Sequence, residues 1–219
     1  MIIVENTKRL YGLLKHCLLI KSKKKIDNFN NESLDLIKKG YYEFKVDIEE
    51  KNFHQIIVNS INKYFPNSKG DRRLFSIEEE SKEINEFFSY ILNKHKENIL
   101  KVSSIKNLYL HSVMAGHLIN DKPNSSSGGD GDDEWHIDQH FELFKIIVYL
   151  SDVDEKNGPF SYLEGSHSKL IQLLILFFFK LFSKDPTRLS KKLTSIIKKL
   201  FFLNQKTFIG KKGTCIVFN

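Results

Sequence analysis

The feature that most constrains the fold is the run LFKIIVYL at residues 143–150. It is nearly continuous in apolar side chains and has the length of a strand. Such a run reads as a strand buried on both faces. Two turn signals follow it, Asn157-Gly158-Pro159 and Gly165-Ser166-His167. The first is turn chemistry, because these residue types favour the backbone angles of a tight reversal. The second is expected to close a strand and cap the next helix, with Ser166 or Ser168 accepting backbone N–H groups. Residues 160–163 read as a further short strand, and 207–218 supply one or two more. Short strands joined by glycine-containing turns predict an antiparallel sandwich or barrel.

The front of the chain, about residues 6–101, follows a helical period. Gly40 is placed to end a short helix over 34–39. A helix over about 51–65 ends before Pro66. Over 77–100, Ile84, Phe87, Phe88, Ile91, Leu92 and Ile99 form one apolar stripe opposite a charged face. The period changes near Val102, and 108–119 has strand-like content. Residues 121–134, rich in Gly, Ser and Asp, read as a flexible loop that could serve as a lid. Residues 168–203 read as two helices divided near Asp185-Pro186. The expectation is one domain over 1–219, with a helical front (1–101), a strand core (102–219) and a helical insertion (about 168–203). The 219-residue length suits a single domain.

Composition narrows the function classes. An apolar content of 41% and 18 Phe argue for a packed core rather than a disordered chain. The net charge of +7 is carried mostly by lysine and favours acidic partners or a solvated surface. No interleaving of arginine with aromatic residues supports specific nucleic-acid readout. Cys17 and Cys215 form no disulfide or zinc pattern, which fits a reducing, cytoplasmic setting. The N-terminal apolar residues are broken by charge, unlike a signal peptide. The most apolar window, 170–182, is shorter than the ~20 residues that span a bilayer.

The candidate chemistry lies at Trp135-His136-Ile137-Asp138. In an extended segment, His136 and Asp138 point to one side. An imidazole and a carboxylate on one face, with one further His, form the facial triad of non-haem iron(II) enzymes. His140 falls on the same face. Lys145 shares a strand face with Ile147 and Tyr149. It could pair with a co-substrate carboxylate or extend its stem to reach solvent.

The succession of these motifs resembles the phytanoyl-CoA dioxygenase family of iron(II)/2-oxoglutarate-dependent oxygenases. The resemblance runs from residues 135–138 through the strand 145–150, Ser151-Asp152-Val153-Asp154, Asn157-Gly158-Pro159 and Gly165-Ser166-His167 to residues 213–219. It implies a mainly β fold with added helices: a double-stranded β-helix, or jelly roll, braced by the N-terminal helices. It implies His136 and Asp138 as Fe(II) ligands, 2-oxoglutarate and O2 as co-substrates, and hydroxylation of an organic small molecule. The carboxylate at Asp138 matters, because related halogenases carry a small residue there.

The family's distal His and its 2-oxoglutarate-gripping Arg are expected beyond Asn219. His111 and His117 precede the pair and offer no simple substitute. The last core strands are therefore expected to be missing from a truncated or partial chain. Two rival readings stand beside the oxygenase. One is a catalytically inactive remnant of the same scaffold. The other is a protein that binds a membrane surface or a partner through the apolar stripe from Leu170 to Leu181 and the lysines of 191–199.

Overall fold

A computed structural model gives the fold and describes residues 29–48, 53–64, 72–79, 81–103, 107–117, 135–137, 143–180 and 188–219. Helix α1 spans Asn31–Lys38. The Asn30 side chain accepts from the Ser33 N–H at 3.0 Å, so one orphan donor of the first turn is satisfied. Gly40, at φ +89°, lies just beyond the C-cap Lys39 and turns the chain into strand β1, Tyr41–Lys45. The front is thus not wholly helical, which corrects the sequence expectation. Helix α2 spans Phe53–Tyr64, and strand β2 spans Arg72–Leu74.

Helix α3 runs Lys82–Val102, capped by the Ser81 hydroxyl, which accepts from the Ile84 N–H. Its buried stripe is Ile84, Phe87, Ile91, His95 and Ile99. The spacing of three and four keeps these residues on one helix face. His95 occupies a stripe position that apolar counting passes over. The segment 107–114 has no regular structure, and among the described residues of this stretch Ala115–His117 forms a strand, β3, paired with β2.

Strand β4 is Trp135–His136, β5 is Lys145–Val148 and β6 is Ser161–Leu163. Helix α4, Lys169–Ile175, continues into a π-helical turn, Leu176–Lys180. Strand β7, Arg188–Leu189, leads into helix α5, Lys191–Leu200. Strands β8, Gln205–Thr207, and β9, Thr214–Phe218, follow. The predicted dividing point Asp185-Pro186, the loop 121–134 and the N-terminal 28 residues lie outside the described residues.

The main sheet has the order β1-β9-β5, antiparallel throughout. Register places Tyr41, Phe218 and Lys145 in one row and Tyr42, Val217 and Ile146 in the next. Alternation therefore sorts the side chains onto two faces. Tyr42, Val217, Phe44 and Ile146 pack on Leu36 of α1 and Ile99 of α3. Tyr41, Ile216, Phe218, Ile147 and Tyr149 pack instead with Phe160, Tyr162 and Phe208, on and beside the β6–β8 pair.

The sheet is thus covered by helices on one side and by a strand pair on the other. The strand most fully buried on both faces is β9, with all five residues buried. β5 is only half-buried, because among the described residues it pairs on one side alone. The architecture is a mixed α/β assembly of helices and small antiparallel sheets. Helical residues outnumber strand residues among those described, so the mainly β balance expected from sequence is corrected. No described helix is long and apolar enough to cross a membrane.

Candidate functional site

Strand β4 carries the first candidate ligand. It pairs antiparallel with β7, placing Trp135 opposite Leu189 and His136 opposite Arg188. Trp135 and Ile137 pack against Leu163, Ile175, Leu189, Ile197 and Leu203. The intervening His136 is exposed. Alternation explains this: the two apolar neighbours take the core side and the imidazole takes the other. Arg188 is directly opposite His136, so the two side chains share that outer face. Sequence reasoning missed Arg188, because nothing local links it to a strand fifty residues earlier. Asp138 and His140 lie outside the described residues. Among the described residues there is no group of three or more His, Cys, Asp or Glu positioned for a metal ion.

Lys145 stands opposite Phe218 on the face that carries Ile147 and Tyr149. That is the face packed with Phe160, Tyr162 and Phe208. The expected grouping of Lys145, Ile147 and Tyr149 holds, and the half-buried lysine sits at the start of the strand. His136 belongs to the separate β4–β7 sheet. His111 is exposed in the irregular segment 107–114.

The turn Asn157-Gly158-Pro159 is built as its residue types demand. Asp154 Oδ1 accepts from the N–H groups of Lys156 and Asn157 at 2.7 and 3.2 Å, and Asn157 Oδ1 accepts from the Asp154 N–H at 2.6 Å. Gly158 takes φ +75°. Asp152 holds Lys211 Nζ at 2.7 Å and the Lys212 N–H at 2.9 Å. The Lys211 hydrogen bond keeps the Asp152 carboxyl below the usual range.

Gly165-Ser166-His167 closes β6 as expected, but the expected side-chain cap of the next helix is not made by Ser168. Ser168 occupies the N-cap position of α4, but its side chain makes no capping hydrogen bond. The turn docks onto the end of α1 instead. The Gly165 N–H donates to Lys39 O at 3.0 Å, and His167 Nε2 donates to Ile37 O at 3.0 Å. These carbonyls belong to the last turn of α1, where intrahelical donors run out. Burial pushes the His167 imidazole below its ordinary pKa.

A second histidine, His95, stacks on Phe44 with ring centroids 3.9 Å apart. Its Nδ1 lies 2.9 Å from the Tyr42 hydroxyl and 3.7 Å from Glu32 Oε2, and its buried Nε2 has no hydrogen-bond partner among the described residues. Burial lowers its pKa, with the Glu32 carboxylate opposing. Burial also raises the Tyr42 phenol, which keeps its proton. The Cys215 thiol is fully buried and pushed up to about 12, which removes it as a nucleophile.

Comparisons with protein-family models, curated proteins and solved structures found no match to this chain.

Proposed function

We propose that this chain carries the scaffold of an iron(II)/2-oxoglutarate-dependent oxygenase of phytanoyl-CoA dioxygenase type, acting on an organic small molecule. The observation that carries the reading is the alternation at β4. Trp135 and Ile137 anchor the strand in the core, while His136 is held outward beside Arg188. In this reading His136 and Asp138 hold Fe(II). The described residues supply His136 alone of that pair. Bound Fe(II), with 2-oxoglutarate and O2, would supply oxidation of a substrate C–H bond.

The chain's own residues would position the small acids involved. Arg188 presents a planar guanidinium suited to bidentate carboxylate binding on the His136 face. Lys145 offers a second cation at the start of β5. The jelly-roll assignment is supported by the face-to-face packing of the β1-β9-β5 sheet and the β6–β8 pair through an aromatic layer. Phe160 and Phe218 lie 4.7 Å apart within it, and Tyr41 and Phe208 4.8 Å apart.

Turnover tests the reading. The chain, supplied with Fe(II), O2 and ascorbate, is expected to convert 2-oxoglutarate to succinate slowly without substrate. His136→Ala is expected to abolish that conversion. Metal binding at His136 with no succinate would instead assign the chain to the inactive-scaffold reading.

A further inference from the structure

The C-terminal end of α5 carries an expensive residue in an expensive place. The helix closes with its C-cap at Phe201, and the Leu203 N–H bonds back to Lys198 O at 2.9 Å. That six-to-one bond is the mark of a Schellman ending, whose next position is left-handed and normally glycine. Here it is Phe202, at φ +52°. A side chain with a Cβ is strained in that region, and a bulky one is a true outlier there. Strain of this kind is usually offset by packing, yet Phe202 is 90% exposed. An aromatic ring is thus held in solvent by a strained backbone, which points to a use outside the folded chain.

Phe202 is not alone. Ile196 and Leu200, four apart on α5, are 45% and 54% exposed. Lys192 and Lys199 are exposed at the same helix spacing. The opposite side of α5, through Thr194 and Ile197, is buried. We propose that this outer face of α5, with Phe202 at its tip, docks onto the surface of an anionic lipid bilayer.

Three features favour a bilayer over other occupants. The apolar groups are exposed along the helix and at its end, and a bilayer accepts exposed apolar side chains without a matching groove. The cations flanking them are lysines, which protein interfaces deplete in favour of arginine, whereas juxtamembrane lysines are drawn to acidic headgroups. A second copy would bring Lys192 and Lys199 toward their own like charges, on a chain whose net charge is +7. The face binds on the membrane surface, since no described helix spans one.

Co-sedimentation of the full chain with phosphatidylcholine vesicles, with and without 30% phosphatidylserine at low salt, tests this. Binding is expected only to the anionic vesicles and is expected to fall steeply as salt rises. Phe202→Gly relieves the strained backbone, so it is expected to raise the Tm while weakening vesicle binding about fivefold or more. Lys192→Glu combined with Lys199→Glu is expected to abolish binding. No binding of the parent chain to anionic vesicles overturns the proposal. So does Phe202→Gly binding as tightly as the parent, or a concentration-dependent dimer that Phe202→Gly dissolves in the absence of vesicle binding.

Discussion

His167 Nε2 donates to the carbonyl oxygen of Ile37 at 3.0 Å, joining residues 130 positions apart in sequence. The bond fastens the turn after β6 to the open end of α1. Beside it, the Asn219 N–H donates to Gly40 O at 3.1 Å and the Tyr162 hydroxyl donates to Asn219 O at 2.7 Å. The α1–β1 corner, the Gly-Ser-His turn and the end of β9 therefore meet at one point. Removing the imidazole leaves the Ile37 carbonyl without this donor. His167→Ala is expected to cost about 1–3 kcal/mol in urea unfolding, with an unchanged m-value.

Gly40 shows how tight that junction is. A Cβ built on it would lie 2.5 Å from both His167 Nδ1 and the Tyr162 hydroxyl, at a backbone φ of +89°. Gly40→Ala therefore combines left-handed strain with a collision. It is expected to cost at least about 2 kcal/mol, read as a lowered urea midpoint, and to cost less when combined with His167→Ala.

Stability should depend on pH through two histidines, the buried His95 and the half-buried His167. Burial lowers the pKa of both His95 and His167 from the ordinary value of 6.5. The unfolded chain then binds protons at pH values where the folded chain does not. Stability is thus fully present above about pH 6.5 and is lost as pH falls from there toward the depressed folded values. Each histidine adds a positive slope of stability against pH in that window, with a ceiling of about 1.4 kcal/mol per pH unit. Urea midpoints at pH 7.5, 6.5 and 5.5 read this directly. A His95→Gln, His167→Gln variant is expected to show a flatter profile, even if it starts lower.

Cys215 should be silent in the folded chain. Its thiol is fully buried and held protonated by that burial. In a Cys17→Ser background, a thiol-specific reagent at pH 8 is expected to label Cys215 only after denaturant is added.

Much of this was legible locally. The end of α1 at Gly40, the stripe of α3 and the Asn157 turn rest on residues within a few positions of one another, so spacing and residue type reveal them. β1 was missed although Tyr41, Tyr42 and Phe44 are strand-forming types. Its register is fixed by β9, 169 to 177 positions later, and five residues between helices show little period of their own. Alternation separates His136 from Trp135 and Ile137, but its outward direction and Arg188 beside it depend on long-range packing and a long-range strand pair. The structural bond of His167 was hidden for the same reason, since Ile37 lies in the helical front. His95 could have been found as the position four residues after Ile91 in an otherwise apolar stripe.

In the proposed function His136, held outward on β4, would hold a divalent metal together with Asp138. Calorimetric titration of Mn(II) into the chain, with and without 2-oxoglutarate, measures this most directly. Binding is expected to be tightened by the co-substrate and weakened at least about tenfold by His136→Ala and by Asp138→Ala. Equal Mn(II) affinity in the parent and both variants, with no effect of 2-oxoglutarate, would contradict it.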